Sequence, residues 1–230
     1  MKRFFTTATT SRDHGGHTVR LDGRPIHTPG RRLLILPTAA LARLVAGEWS
    51  AQGETIRPDT MGVTRLVTTV TDRLPQHRDD AVAEILDYAE SDLLCYRAAT
   101  PAVLAERQAA AWQPWLDWAA RRKCAPLRVT AAIDPLPQPP ASLEALGQIT
   151  RRLDDWHVVG LHATTRLTGS IVLGLALLEG ELGANAAFDL ALLDELFEIE
   201  RWGLEAEQER RQATFRSDLA AAEAYCRALS

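Results

Sequence analysis

The stretch Phe188–Arg211, FDLALLDELFEIERWGLEAEQERR, is the segment from which the rest of the chain is read. It opens as an amphipathic helix. At about 100° per residue, Phe188, Leu192, Leu196 and Ile199 share one face. Asp194, Glu195, Glu198, Arg201 and Trp202 gather on roughly the opposite third of the wheel. Gly203 interrupts, and a second acidic run follows at Glu205, Glu207 and Glu209. Ten acidic residues and one basic residue lie between Glu179 and Glu209. That −9 against a whole-chain net charge of −4 leaves +5 for everything else. One reading is a solvated helix face. The other is a docking surface, with Trp202 as an aromatic anchor ringed by carboxylates.

Working outward, 230 residues suffice for a full core in one large domain or two small ones. The composition, 46% hydrophobic and 24% charged, is that of a soluble globular protein. A net charge of −4 argues against nucleic acid, which calls for a basic patch. The three cysteines, Cys95, Cys124 and Cys226, are widely spaced and odd in number, so free thiols in a reducing compartment are expected. The longest apolar run, Ile171–Leu178, is far short of the ~20 residues of a membrane span. The N-terminus lacks a signal-peptide apolar run, and a cytoplasmic location is expected.

The first sixty residues read as strands plus one helix. Thr18–Leu21, Asp22-Gly23 and Arg24–Thr28 make a hairpin, because Asp-Gly tolerates the positive φ angles of a two-residue turn. Arg32–Leu36 reads as a third short strand and Phe4-Phe5 with the threonines behind them as an outer one. Pro37-Thr38 opens a helix carrying Leu41, Leu44, Val45 and Trp49, which covers one face of the sheet. After Gly53 the pattern is helical. Segments at Thr64–Asp72, Arg78–Leu94 and Ala102–Lys123 are expected. The ladder Trp112, Trp115, Trp118 is read as the buried side of the last one. Asp134–Ala141 is a loop, Ser142 an N-cap for Leu143–Trp156, and Trp156–Leu161 a strand or extended connection. Thr165–Leu178 is apolar nearly all round, the expected central helix of a bundle, and Leu204–Leu229 closes the chain. The fold class is therefore α+β. A small N-terminal α/β domain, a short antiparallel sheet with a helix over residues 1–60, precedes a larger all-helical C-terminal domain, 61–230.

Catalytic patterns are missing. There is no Gly-Lys-Ser/Thr phosphate loop, no GxGxxG after a strand and no GxSxG elbow. Gly169-Ser170 lies within the apolar helical run, where a serine bonds to its own helix. His14 and His17 near Asp13 are weak metal candidates, with an exposed loop the simpler reading. Cys95 has no base nearby in sequence and reads as a small buried residue. Asp92 and Arg97 read either as an internal charge pair or as part of a recognition surface. A rival enzyme reading gathers Asp92, Arg97 and His157 in a cleft. A third reading is a structural subunit of a stable complex.

Five stretches, in order, carry a resemblance: VRLDGRPIHTPGRRLLILPT, LVAGEWSAQGETIRPDTMGVTRL, SDLLCYRA, QPWLDWA and ELFEIERWGLEAE. Together they resemble the assembly chaperones that act on the alpha subunit of F(1)-ATPase, from about Phe4 to Arg211. The resemblance implies the two-part fold just described and a protein that is not a subunit of the finished ATP synthase. It implies transient binding, as a monomer, to the free alpha subunit, which stays soluble until the beta subunit takes over. It implies no reaction, no cofactor, no metal and no membrane insertion. It places the chain in the cytoplasm, or in the mitochondrial matrix for eukaryotic relatives. The implied partner-binding residues are Asp194, Glu195, Glu198, Trp202, Glu205 and Glu207. Family members carry an essential acidic residue just after Trp-Gly, which here is Glu205 or Glu207. The chain departs from the family pattern at Glu198, where many relatives carry glutamine, and at Gly62, where a proline is common.

Overall fold

The computed structural model describes residues 1–13, 15–132 and 134–230. Three antiparallel strands, β1 (Ala8–Asp13), β2 (Gly16–Leu21) and β3 (Arg24–Pro25), pair in the order β1-β2-β3. Register is set at Thr10↔Val19 and Arg20↔Pro25. Asp22 and Gly23 take φ of 48° and 80°, the double positive φ that an Asp-Gly hairpin turn requires. The Asp22 carboxylate then accepts from the Thr6 and Thr7 amides, tying the N-terminal arm to the turn. Two strand expectations change. The outer strand is Ala8–Asp13, which takes in Thr9 and Thr10 of the expected threonine run but leaves out Phe4 and Phe5; Phe5 instead turns inward, with its ring 5.6 Å from that of Trp49. Arg32–Leu36 meets the sheet only at the bridges His17↔Leu36 and His27↔Leu33. Backbone hydrogen bonds between His17 and Leu36 in both directions, from Leu34 to Ile26 and from Thr28 to Arg32, together with burial of Leu34 and Leu36, hold it there.

Helix α1 (Ala39–Ser50) starts at Thr38, whose hydroxyl accepts from the Leu41 amide, and lays Leu41, Ala42, Val45 and Ala46 into the core. Nine more helices follow among the described residues. They are α2 (Gly62–Asp72), α3 (Leu74–Glu90), α4 (Ala102–Lys123), α5 (Pro140–Arg152), α6 (Asp155–Thr168), α7 (Ile171–Leu178), α8 (Ala184–Ala191), α9 (Leu193–Trp202) and α10 (Ala206–Arg227). A small antiparallel sheet followed by helices confirms the α+β class. Trp156–Leu161 is helical, because Asp154 caps α6 through the His157 amide. Ser142 caps nothing; α5 begins two residues earlier at Pro140, and the Ser142 hydroxyl donates to the Pro126 carbonyl.

The expected central helix is two helices. Gly169, at φ 69°, ends α6 in the left-handed conformation, and Ser170 caps α7 by accepting from the Leu173 amide. Every residue of α7 from Ile171 to Leu177 is buried, each of its large side chains contributing about 1.5–3 kcal/mol relative to exposure. Gly174 permits this. A Cβ there would stand 2.5 Å from Thr165 Oγ1, so α6 and α7 approach at a distance no side chain allows. Helix α10 runs back across the molecule: Tyr225 donates to the Trp156 carbonyl at 2.9 Å, and Thr38, beside the sheet, donates to Ala228. One continuous buried cluster runs from Phe5 to Ala228. Of the tryptophan ladder, Trp112 is buried and donates to the Leu190 carbonyl, whereas Trp115 and Trp118 are half-buried.

Candidate interaction surface

The acidic segment forms a shoulder built from α9 and the start of α10. Its apolar phase differs from the wheel drawn on sequence. Leu192 leaves helical geometry, at φ −106° and ψ 19°, and separates α8 from α9. The break resets the phase, so α9 buries Leu193 and Phe197, one turn apart, while Leu196 and Ile199 are half-buried. Phe188 belongs to α8 and is fully buried. The guanidinium groups of Arg107 and Arg201 lie 5.2 and 4.1 Å from the Phe197 ring centroid.

Two of the six residues singled out on sequence serve the fold. Asp194 accepts from the side-chain amide of buried Gln108 at 2.7 Å, and Gln108 in turn accepts from the Ala98 amide. Arg107 donates to Glu200 at 2.7 Å and holds that carboxyl below its ordinary range. The pair of bonds clamps α9 to α4. Glu195 is largely covered and accepts from Arg211 and Gln212, clamping α9 to α10. The docking reading therefore narrows, because Asp194 and Glu195 are already engaged inside the chain. The partners Arg107, Gln108 and Arg211 were missed on sequence, since no local pattern links residues up to 93 positions apart.

The other four face outward. Trp202, the last residue of α9, is 85% exposed, and Leu204 beside it is 46% exposed. Glu198 sits one turn before Trp202 on the same helix face and makes no ion pair among the described residues. Gly203 takes φ 87°, a conformation suited to glycine, and redirects the chain into α10. There Glu205 forms a capping box with Gln208: its carboxylate accepts from the Gln208 amide, and the Gln208 side chain accepts from its own amide at 3.2 Å. Glu207 and Glu209 follow in the first turn, where the helix dipole favours them. The result is a large exposed ring on a clamped helix end, with exposed carboxylates before and after it in the chain. Chemically this is an anchor-and-rim arrangement for a basic or amide-rich partner surface.

The rival catalytic grouping does not assemble. Asp92 is fully buried and accepts from the Leu94 amide, the Ser170 hydroxyl and the Val172 amide. Arg97 lies over the Trp112 ring and donates to the Gln108 carbonyl, so the two are no charge pair. His157 stands in the first turn of α6, bonded to Asp154 at 2.7 Å. Asp92 contacts Ser170, thirteen residues on, which puts His157 about 20 Å away along the helix axis. Ser170 bonds to Asp92 as well as capping α7, not merely to its own helix. Burial pushes the Cys95 thiol up to about 12, which makes it a poor nucleophile. His14, of the weak metal grouping, lies outside the described residues.

Residues 2–120 match the family model described as ATP12 chaperone protein. The chain is 22% identical over 214 residues to Protein atp12, mitochondrial, of Schizosaccharomyces pombe, covering 88% of this chain and 74% of that protein. The crystal structure of Atp12 from Paracoccus denitrificans superposes with a TM-score of 0.92 at 38% identity, covering 100% of this chain and 98% of the other. A crystal structure from Agrobacterium tumefaciens superposes with a TM-score of 0.95 at 37% identity, covering 100% and 86%.

Proposed function

Because the chain belongs to the ATP12 chaperone family, we propose that it is an assembly chaperone for the F(1) sector of ATP synthase. It binds the free alpha subunit and keeps it from aggregating until the beta subunit replaces it, and it carries out no reaction. The observation that carries this reading is Trp202, exposed on the end of a helix clamped from both sides, with exposed Glu198 one turn before it and exposed Glu205 and Glu207 just after it in the chain.

A free subunit of an oligomer exposes surface destined for its neighbour, which is an aggregation hazard. A holder must cover that surface and still let go. One aromatic anchor with a charged rim meets both demands. The rim speeds encounter and sets register, and a small apolar area keeps affinity low enough for release. On this reading the chain divides near residue 60, with the helical part carrying the client surface. It works as a monomer in the cytoplasm, or in the matrix for mitochondrial relatives. No helix among the described residues is long and apolar enough to cross a membrane.

The test is capture of purified alpha subunit. Trp202→Ala is expected to weaken the complex by about 2 kcal/mol or more, as a central anchor does. Its thermal melt should stay where the unaltered chain's is, since an exposed side chain contributes little to stability. Full-strength capture by both Trp202→Ala and Glu207→Lys would overturn the reading.

A further inference from the structure

Helix α9 is short and has a break at each end. Leu192 leaves helical geometry before it, and Gly203, at φ 87°, stops it. Of its ten residues only Leu193 and Phe197 are buried, so apolar packing fixes its first half. The last turn is different: Ile199 is half-buried, and Glu200, Arg201 and Trp202 are exposed. A helix end without core contacts frays, because its final carbonyls have no helical partner.

Three polar tethers hold α9 to other helices. Gln108 reaches Asp194, Arg211 and Gln212 reach Glu195, and Arg107 reaches Glu200. They differ in where they act. Asp194 and Glu195 stand about 12 and 10 Å from Trp202 along the helix axis, whereas Glu200 stands about 3 Å from it. Among the described residues, Arg107 supplies the one side-chain bond from another helix to the last turn.

The geometry of Arg107 gives that bond a direction. Its guanidinium lies 5.2 Å from the centroid of the buried Phe197 ring and 2.7 Å from the Glu200 carboxylate. A planar guanidinium seated over a ring presents its N–H groups along a set line. Leu104 and Gln108, both buried, keep this stretch of α4 against the core. Arg201 stands 4.1 Å from the same ring, but it belongs to α9 and ties it to no other helix. The orientation of the Trp202 end is therefore set from α4.

Global stability does not explain the pair. The Arg107 and Glu200 side chains are 42% and 57% exposed, and ion pairs so placed contribute little to the fold as a whole. Their effect is local. An anchor on a frayed turn has to be ordered when a client docks, and that ordering subtracts from affinity.

We propose that Arg107 is a positioning residue for client binding: it touches Glu200 and Phe197, not the client, and holds the last turn of α9 so that Trp202 meets the alpha subunit already oriented. The proposal rests on the chaperone reading of Trp202 and extends that site to a residue of another helix.

The test is a double-variant cycle in the full chain, read as affinity for purified alpha subunit. Arg107→Ala is expected to weaken capture about fivefold or more, but less than twofold in a chain already carrying Trp202→Ala, since nothing is then left to position. If Arg107→Ala lowers the melt, Arg107→Gln, which keeps the stem over Phe197, takes its place in the cycle. In the free chaperone labelled with 5-fluorotryptophan, the Trp202 fluorine signal, identified by its loss in Trp202→Phe, is expected to shift or broaden when Arg107 is replaced. An unmoved signal would overturn the proposal. An equal loss of affinity in both backgrounds would also overturn it, making Arg107 a direct client contact. Unchanged capture by the Arg107 variant, while Trp202→Ala still weakens binding, would remove Arg107 and leave the chaperone reading standing. If the unaltered chain captures no alpha subunit, both readings fall together.

Discussion

Asp92 and Glu205 stand in comparable places and live in opposite surroundings. Each carboxylate sits at a helix start, Asp92 at α7 through Ser170 and the Val172 amide, Glu205 at α10 through its capping box. Asp92 is fully buried and its acceptor positions are filled from inside the chain. Glu205 is exposed and shares its neighbourhood with Trp202, Glu198 and Glu207, whose faces are open to solvent. The lesson is that one chemistry serves two ends. A carboxylate saturated by its own fold organises the core; one left with spare capacity beside an exposed aromatic ring is available to a partner.

The contrast is broken hardest at Asp92. Asp92→Ala leaves a hydroxyl and two amides without an acceptor in the core. It is expected to cost about 3–5 kcal/mol in urea denaturation. A cost under 1 kcal/mol would mean that Asp92 does not organise the α6–α7 junction.

The second comparison is by pH. Burial raises the Asp92 carboxyl to about 6, against an unfolded value near 4, and the hydrogen bonds from Leu94, Ser170 and Val172 only partly oppose it. A raised acid binds its proton more tightly in the folded state. Its contribution to stability is therefore greatest below about pH 4 and lost as pH climbs through about 6, by roughly 3 kcal/mol in all. The difference in stability between the unaltered chain and Asp92→Asn should trace that window.

A smaller effect is expected at Gly203. Gly203→Val forces a β-branched residue to φ 87° and should cost about 1–3 kcal/mol. It should also misdirect Trp202, so alpha-subunit capture should fall by more than the stability loss explains. The smallest effect is at Glu198. Glu198→Lys leaves the melt within about 0.5 kcal/mol and slows association with the client, most visibly at low salt. An unchanged association rate would remove Glu198 from the rim.

Local signals carried over into the fold where the physics is local. The Asp22-Gly23 hairpin, the Thr38 cap and the full length of Ala102–Lys123 were all readable, because turn chemistry, capping and period depend on neighbours in sequence. The site was half legible. Trp202 stood out because the apolar stripe did not need it. Asp194 is exposed and Glu195 half-buried, but their bonds to Gln108 and Arg211 could not be read locally, because those partners come from other helices. The division at Gly169-Ser170 was missed although its signals are local: Thr168-Gly169-Ser170 interrupts the apolar run, Gly169 ends α6 in the left-handed conformation and Ser170 caps α7, with Asp92, 78 residues upstream, adding a further bond.

What the sequence by itself determined is the α+β class, the positions of most helices and the location of an acidic, tryptophan-bearing segment after Phe188. Composition and periodicity are enough for those. Only the tertiary structure decided which carboxylates are spent internally and which remain free, and that Arg107, from α4, holds the helix end that carries Trp202. Charge is a property of residues, but whether a charge is satisfied depends on what other elements bring within about 3 Å of it, and no local pattern in the sequence encodes that distance.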